Sequence, residues 1–397
     1  IDRDDDLEPA WERIGLVPAA RQPLLESVGR AFVLVTGLGT QETRFLRDVD
    51  DPRVTVILSD PERRPGGATV SGTRAGLEAL ARLAERAGRV ELARALDAAT
   101  AADVPPDPSV LGGRTFRWGE RTFLMGVVNV TPDSFSDGGL HLERDAAVQH
   151  ALGLAGAGAD LIDIGGESTR PGSAGVPLQV ELDRVLPVLE AVRASSDVPV
   201  SVDTRKAAVA REALRLGAAL VNDVSGLGDD PALANAVAEA GAALALMHIQ
   251  GTPDTMQVDP RYDDVVAEVI ELVAGRVDRA VAAGVARERI WVDPGIGFGK
   301  TAGHNLFLLR HLAELRVLGC PVLVGTSRKR FIGALSGGRP PDQRRPGSLA
   351  SIASLAVLHG ADVVRVHDVA EAKDALAVAD AIARAREGGD LWGPPRS

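Results

Sequence analysis

The chain has 397 residues and a formal net charge of -11 at pH 7, which argues against nucleic acid or an anionic membrane surface as its main partner. Hydrophobic residues make up 45%, enough for one large domain with a sizeable core and a smaller one beside it. With one cysteine, Cys320, there is no disulfide framework, and a reducing cytoplasm is the expected setting. Cys320 stands between Gly319 and Pro321 at the head of an apolar run and reads as a small buried residue. The sequence carries neither a signal-peptide pattern nor an apolar run long enough to span a bilayer. It opens on Ile1 rather than Met, so its natural start is expected upstream.

Residues 1–100 read as a small α/β domain of unassigned role. A strand at 31–35 passes through Gly37-Leu38-Gly39 into a helix at 42–47, and a second strand follows at 54–58. Residues 71–99 show a helical pattern with Leu77, Leu80, Leu83 and Ala84 on one face. A lone Gly-x-Gly is a weak nucleotide-loop signal, and no acidic ribose partner stands at the usual spacing, so a structural or interaction module is the better reading. Residues 101–113, with Pro105, Pro106, Pro108 and Gly112-Gly113, read as a linker. Two β-prone runs flanking Trp118-Gly119-Glu120 suggest a hairpin that leads into the next strand.

From 114 to 390 strands and helices alternate, with 391–397 as a tail. Strands are expected at 123–129, 161–165, 198–203, 219–223, 243–248, 290–293, 322–326 and 363–366. Helices are expected at 146–157, 178–194, 206–215, 232–240, 265–283, 306–317, 349–359 and 369–386. Eight such pairs predict an α/β fold of the (β/α)8 TIM-barrel type, with a doubly wound open sheet as the alternative.

A barrel builds its site at the C-terminal ends of its strands. Polar residues collect there at every strand: Asn129, Glu167 to Arg170, Asp203, Asn222 and Asp223, His248, Asp293, Thr326 to Lys329, and Arg365 with His367. A scaffold would place one or two polar caps in such positions, whereas one at each strand calls for a ligand. Asp203 and Asp293 would also suit helix N-caps, and Asp223 suits a structural role equally well. Arg365 and His367 alternate, so they share one side of their strand. The run Gly295 to Thr301 mimics a phosphate loop, but Pro294 occupies a position where that loop needs glycine. His150, His304, His311 and His359 read as satisfied core groups, with His248 intermediate.

Two stretches carry a resemblance. The run from Asn129 through Thr131-Pro132-Asp133-Ser134-Phe135-Ser136-Asp137 to Gly139 resembles the first signature of the dihydropteroate synthase family. The run from Ile162-Asp163-Ile164-Gly165-Gly166-Glu167 to Gly172 resembles the second, and the likeness extends over about Arg114 to Glu387. It implies a TIM-barrel enzyme of folate biosynthesis that condenses 6-hydroxymethyl-7,8-dihydropterin diphosphate with 4-aminobenzoate and releases pyrophosphate. It also implies magnesium as cofactor, a cytoplasmic homodimer and a target for sulfonamides.

Residue by residue, the resemblance assigns Asp203, Asn222, Asp293 and Lys329 to the pterin edge, where carboxylates, an amide and an ammonium read ring donors and acceptors. It places Met247 among the substrate contacts and Phe298 in the wall of the aminobenzoate pocket. Asn129, Arg365 and His367 become the diphosphate site, with the Asn129 amide oxygen as the protein ligand to Mg²⁺. Phe135, Asp137, Thr169, Arg170 and Pro171 fall on two loops that close over the substrates, with Gly138, Gly139, Gly166 and Gly172 suited to hinges. Catalysis is then assigned to Asp137, Phe135, Lys329, Arg365 and His367. Many members of the family have serine after the equivalent of Lys329, where this chain has Arg330. The first 100 residues are similar to an extra N-terminal region of a subset of the family. A pterin-dependent methyltransferase barrel would share the pterin pocket without the diphosphate residues, and a non-catalytic pterin-binding protein would have lost loop residues.

Overall fold

The computed structural model describes residues 31–35, 38–51, 54–58, 68–72, 74–101, 105–131, 140–169, 173, 175–355 and 360–383. It divides the chain into two compact units, Ile1–Val104 and Pro105–Ser397.

The first unit contains β1 (Ala31–Val35), α1 (Thr40–Arg47), β2 (Val54–Leu58), β3 (Ala68–Gly72), α2 (Arg74–Arg86) and α3 (Val90–Ala101). The sequence reading took 71–99 as one helix, but its first residues end β3, and Gly88 in the left-handed region (φ 73) separates α2 from α3. Leu77, Leu80 and Ala84 join Leu92 and Leu96 in the core of this unit, whereas Leu83 is 43% exposed. β3 lies between β1 and β2, antiparallel to both. A dinucleotide loop belongs to a parallel βαβ pair, so this sheet gives the Gly-x-Gly reading no support.

The second unit opens with a hairpin, β4 (Ser109–Leu111) and β5 (Arg114–Phe116), which turns on Gly112 (φ 54) and Gly113 (φ 84). The turn therefore falls inside the segment read as linker, and not at Trp118 to Glu120 as its composition suggested. The barrel strands are β6 (Phe123–Asn129), β7 (Leu161–Gly165), β8 (Val200–Asp203), β9 (Leu220–Asp223), β10 (Ala243–Met247), β11 (Ile290–Asp293), β12 (Leu323–Val324) and β13 (Val363–Val366). Between them run α4 (Leu140–Gly156), α5 (Leu178–Ser195), α6 (Ala207–Arg215), α7 (Ala232–Ala240), α8 (Val265–Ala282), α9 (Ala302–Arg310), α10 (Arg330–Leu335) and α11 (Arg345–Ser354), and α12 (Val369–Ala383) follows β13. The strands pair in parallel in the order β11-β10-β9-β8-β7-β6-β13-β12, and a Val292–Val322 bridge joins the two edges. The chain is a (β/α)8 barrel, and the open-sheet alternative is set aside. The helix expected at 306–317 starts earlier, at Ala302, because Thr301 and His304 form a capping box. No helix among the described residues is long and apolar enough to cross a membrane.

Period-two alternation sorts each strand. Leu124 and Val128 on β6, Ile162 and Ile164 on β7 and Val364 on β13 face the helices. Phe123, Met125, Leu161, Leu220, Trp291, Leu323 and Val363 fill the barrel base. Phe116 and Trp118 close that base from below, with ring centroids 4.9 Å from Phe123 and 5.3 Å from Trp291. The Trp118 indole N–H donates to Ser109 Oγ (3.2 Å), whose hydroxyl donates to the Glu288 carbonyl (3.0 Å). With an aromatic plug at one end, ligands must enter at the other. Phe116→Ala should cost about 3 kcal/mol in denaturant unfolding of the barrel. Substrate KM values should stay unchanged, because the plug lies at the end away from the polar residues.

Candidate active site

The same parity that fills the base with apolar side chains brings polar ones to the top. Asp163, midway along β7, points inward and is fully buried. Arg365 reaches it from β13: Nε donates to Asp163 Oδ2 (2.7 Å) and Nη2 donates to Asp203 Oδ2 on β8 (2.9 Å). The Asn222 amide on β9 donates to the same Asp163 oxygen (3.0 Å). Asp163 Oδ1 and Ser201 Oγ are left without protein partners among the described residues, and the two residues face each other in the β7–β8 register. Two orphaned polar atoms side by side suit a bound water.

Asp293, at the end of β11, accepts the Gly295 N–H (2.6 Å). Burial pushes both Asp203 and Asp293 above the usual carboxylate range. Arg365 opposes the shift at Asp203 while Asp163 adds to it, and Lys329 and Lys300 oppose the shift at Asp293. Burial lowers Lys329 to about 8 against the pull of Asp293. Its ammonium sits 4.3 Å from the centroid of the Phe298 ring. The residue before it explains its aim. Arg328 adopts φ 58, uncommon for a side-chain-bearing residue, and is held there by Asp368 (2.9 Å to Nη2) and by its own N–H donating to Ser348 Oγ (2.9 Å). Successive cations of the run Arg328-Lys329-Arg330 are thereby split, with Arg328 paired to Asp368 and Lys329 turned into the cavity.

His367 follows β13 on the Arg365 side, and its Nδ1 lies 3.0 Å from Ser327 Oγ, which also accepts the His367 backbone N–H (3.3 Å). Burial, then the neighbouring Arg365 and Arg328, lower His367 to about 3, so the ring is neutral near pH 7.

These groups line one cavity of about 930 Å³. Asn129, Thr169, Asp203, Asn222, Met247, Asp293, Phe298, Lys329, Arg365 and His367 all reach it. Phe135, Asp137, Arg170 and Pro171, with Gly138, Gly139, Gly172 and His359, lie outside the described residues. Several expectations change. Asp223 faces away from the cavity and ties a turn, accepting from the Ser225 N–H (2.8 Å), the Ser225 hydroxyl (2.7 Å) and the Leu227 N–H (2.6 Å). Asp203 caps no helix, since Lys206 stands at the N-cap of α6. Gly166 is a close-approach glycine more than a hinge: a Cβ there would lie 2.8 Å from Val185 Cγ2, and Arg184 donates to its carbonyl (2.9 Å). His150 is exposed at the cavity, His304 caps α9 and His311 pairs with Glu314 (2.8 Å), so none of the three is a core group. The sequence reading passed over Asp163, although a carboxylate inside the apolar run Leu161 to Ile164 was the available signal. It also passed over Lys300.

Fold and site together define a barrel of the enzyme type, with one polar cavity at the C-terminal ends of its strands. A family model described as pterin binding enzyme matches residues 125–367. The chain is 46% identical over 282 residues to the dihydropteroate synthase of Synechocystis sp., covering 71% of this chain and 97% of that one. It is 51% identical over 265 residues to that of Mycobacterium leprae, covering 65% and 92%. A solved structure of Xanthomonas albilineans dihydropteroate synthase with 4-aminobenzoic acid superposes with a TM-score of 0.66 at 48% identity, covering 71% of this chain and 100% of that one. Another, in complex with 7,8-dihydropteroate, gives 0.63 at 46% identity, covering 70% and 100%. The chain belongs to the pterin-binding enzyme family and, within it, to the dihydropteroate synthases.

The Arg365 network predicts a graded response at Asp163. Asp163→Leu leaves Arg365 and Asn222 each short of a partner and should cost about 3 kcal/mol or more in denaturant unfolding. Asp163→Asn keeps an oxygen and should cost clearly less; equal losses would mean that shape, not pairing, sets the cost.

Proposed function

We propose that the chain condenses 6-hydroxymethyl-7,8-dihydropterin diphosphate with 4-aminobenzoate to 7,8-dihydropteroate, releasing pyrophosphate, as a transferase of folate biosynthesis. The observation that carries this reading is the meeting of two kinds of recognition in one cavity: Asp203, Asn222, Asp293 and Lys329 suited to a pterin edge, and Arg365 with His367 suited to phosphate. A methyltransferase barrel would need only the first.

The reaction breaks a C–O bond at a carbon conjugated with an electron-rich ring, so a dissociative, cation-like transition state is expected. Arg365 donates to Asp163 and Asp203 through Nε and Nη2, and Nη1, which has no partner among the described residues, would meet the leaving diphosphate. If Ser327 Oγ donates to His367 Nδ1, the ring N–H stands on Nε2 and adds a neutral donor. The Asp203 and Asp293 carboxylates, with Asp137 on the first loop, would offset developing positive charge. The aniline nitrogen is already nucleophilic and needs no strong base. Phe298 and Lys329 would hold the aminobenzoate ring, and Arg330, at the start of α10 on the cavity wall, would face its carboxylate where many relatives carry serine. Phe135, Thr169, Arg170 and Pro171 belong to the two loops that exclude water on closure.

The donor set fits a lightly held Mg²⁺. Asn129 brings an amide oxygen to the cavity, and no cluster of three or more His, Cys, Asp or Glu side chains suited to a metal exists among the described residues. Diphosphate oxygens would complete the shell, and the ion would neutralise charge on the leaving group. The reading includes a cytoplasmic homodimer. The lone thiol of Cys320 supports a reducing compartment, and Val378 and Ile382, four residues apart and exposed on α12, offer an apolar stripe to a second copy. The N-terminal unit is read as an interaction or stabilising module.

Purified protein given the pterin diphosphate and Mg²⁺ should release pyrophosphate only when 4-aminobenzoate is added, with dihydropteroate as product, and chelation of the metal should stop it. Tight pterin binding without release would instead favour the methyltransferase or the binding protein.

A further inference from the structure

The lysine of the discarded phosphate-loop pattern is not idle. Lys300 is buried beside the cavity, and its ammonium donates to three acceptors: His248 Nδ1 (2.8 Å), the Phe298 carbonyl (3.0 Å) and the Gly295 carbonyl (3.1 Å). No carboxylate lies within ion-pair distance of it among the described residues, so its work there is hydrogen bonding alone. The loop it grips is tight. Gly295, Gly297 and Gly299 all have positive φ (68, 84 and 63), and side chains at 295 and 299 would collide with the carbonyls of His248 and Gln250. Gln257 Nε2 donates to the Gly297 carbonyl (2.8 Å) and Tyr262 Oη to that of Gly299 (2.7 Å). Lys300 takes the two carbonyls that flank the loop turn, including that of Phe298 itself.

We propose that Lys300, supported by His248, is a positioning residue that fixes the Phe298 wall and thereby the arylamine subsite. This deepens the synthase reading and rests on it. His248 must offer a bare Nδ1 to accept from an ammonium, and burial and the cations Lys300 and Arg276 lower it to about 2, so the ring stays neutral. Burial also lowers Lys300 to about 7, opposed by Asp293 and assisted by Arg276 and Lys329. The groups that face Lys300 and His248 are thus Arg276 on α8, Asp293 on β11, Lys329 before α10 and Tyr262, whose ring centroid lies 6.0 Å from that of His248, with His304 on α9 within electrostatic reach. A protonated lysine has three N–H groups for the three acceptors, whereas the neutral amine has two. The clamp is complete at low pH and loses one arm as pH rises through about 7.

The test is steady-state kinetics at saturating pterin diphosphate, alongside direct titration of that substrate. Lys300→Met should raise KM for 4-aminobenzoate by roughly tenfold, with pterin diphosphate affinity within about twofold of the unaltered enzyme, as expected when buried acceptors beside one subsite lose their donor. His248→Asn keeps an acceptor near the Nδ1 position and should stay close to the unaltered enzyme, whereas His248→Leu should follow Lys300→Met. In the unaltered enzyme KM for 4-aminobenzoate should climb as pH passes through about 7, and that step should be missing from Lys300→Met. An unchanged KM, or an equal loss of affinity for both substrates, would overturn the proposal. A fault in the reading of the reaction would show in the unaltered enzyme, and a fault in the clamp only in the variants.

Discussion

One guanidinium joins the two halves of the site. Arg365 crosses the barrel from β13 to hold Asp163 and Asp203, and Asp163 in turn holds Asn222, so four strands share one hydrogen-bonded network. Burying such charges is costly unless they are paired, and removing one partner from a buried pair typically costs about 3–5 kcal/mol. The network meets this cost by pairing Arg365 with Asp163 and Asp203, while Lys300, Arg328, Lys329, Arg330 and Arg344 also line the cavity and leave it with an excess of positive charge over Asp203 and Asp293. Both lysines and two of the carboxylates are nevertheless shifted toward their neutral forms by burial. A site poised this way takes its protonation state from what binds in it.

Much of this was legible in the sequence because it rests on parity. Alternation on β13 puts Arg365 and His367 on one side, and the polar residue that ends nearly every strand marks the open end of the barrel. The bounds of β6, β7, β11 and β13 fall where the apolar runs place them. Asp163 was passed over because the residues around it, Leu161, Ile162 and Ile164, make the run look uniformly apolar. Its role follows from a partner 202 residues away, which no local pattern reveals. Lys300 escaped for the opposite reason, since its neighbours suggested a motif that Pro294 ruled out, and rejection of the motif removed the lysine with it. Gly166 looked like a hinge because glycine permits motion, but here it permits contact with α5. The hairpin was placed too late because Trp118 and Gly119 carry turn composition, while the backbone conformation that a tight hairpin needs is met at Gly112 and Gly113.

The two ends of the barrel divide labour. Aromatic packing of Phe116, Trp118, Phe123 and Trp291 fixes the base and supplies stability without touching a substrate. At the top, backbone restraint substitutes for bulk: a left-handed Arg328 turns Lys329 inward, and three left-handed glycines bring the Phe298 loop against the strand ends. The described groups that line the cavity are therefore held by rigid supports.

The central claim is that Arg365 couples pterin recognition to diphosphate binding through Asp203. A double-mutant cycle on pterin diphosphate affinity, using Asp203→Asn, Arg365→Lys and the pair, tests it most directly. A coupling of about 1 kcal/mol or more between the two positions is expected. Additive losses would contradict it, and would mean that the two halves of the cavity bind their portions of the substrate independently.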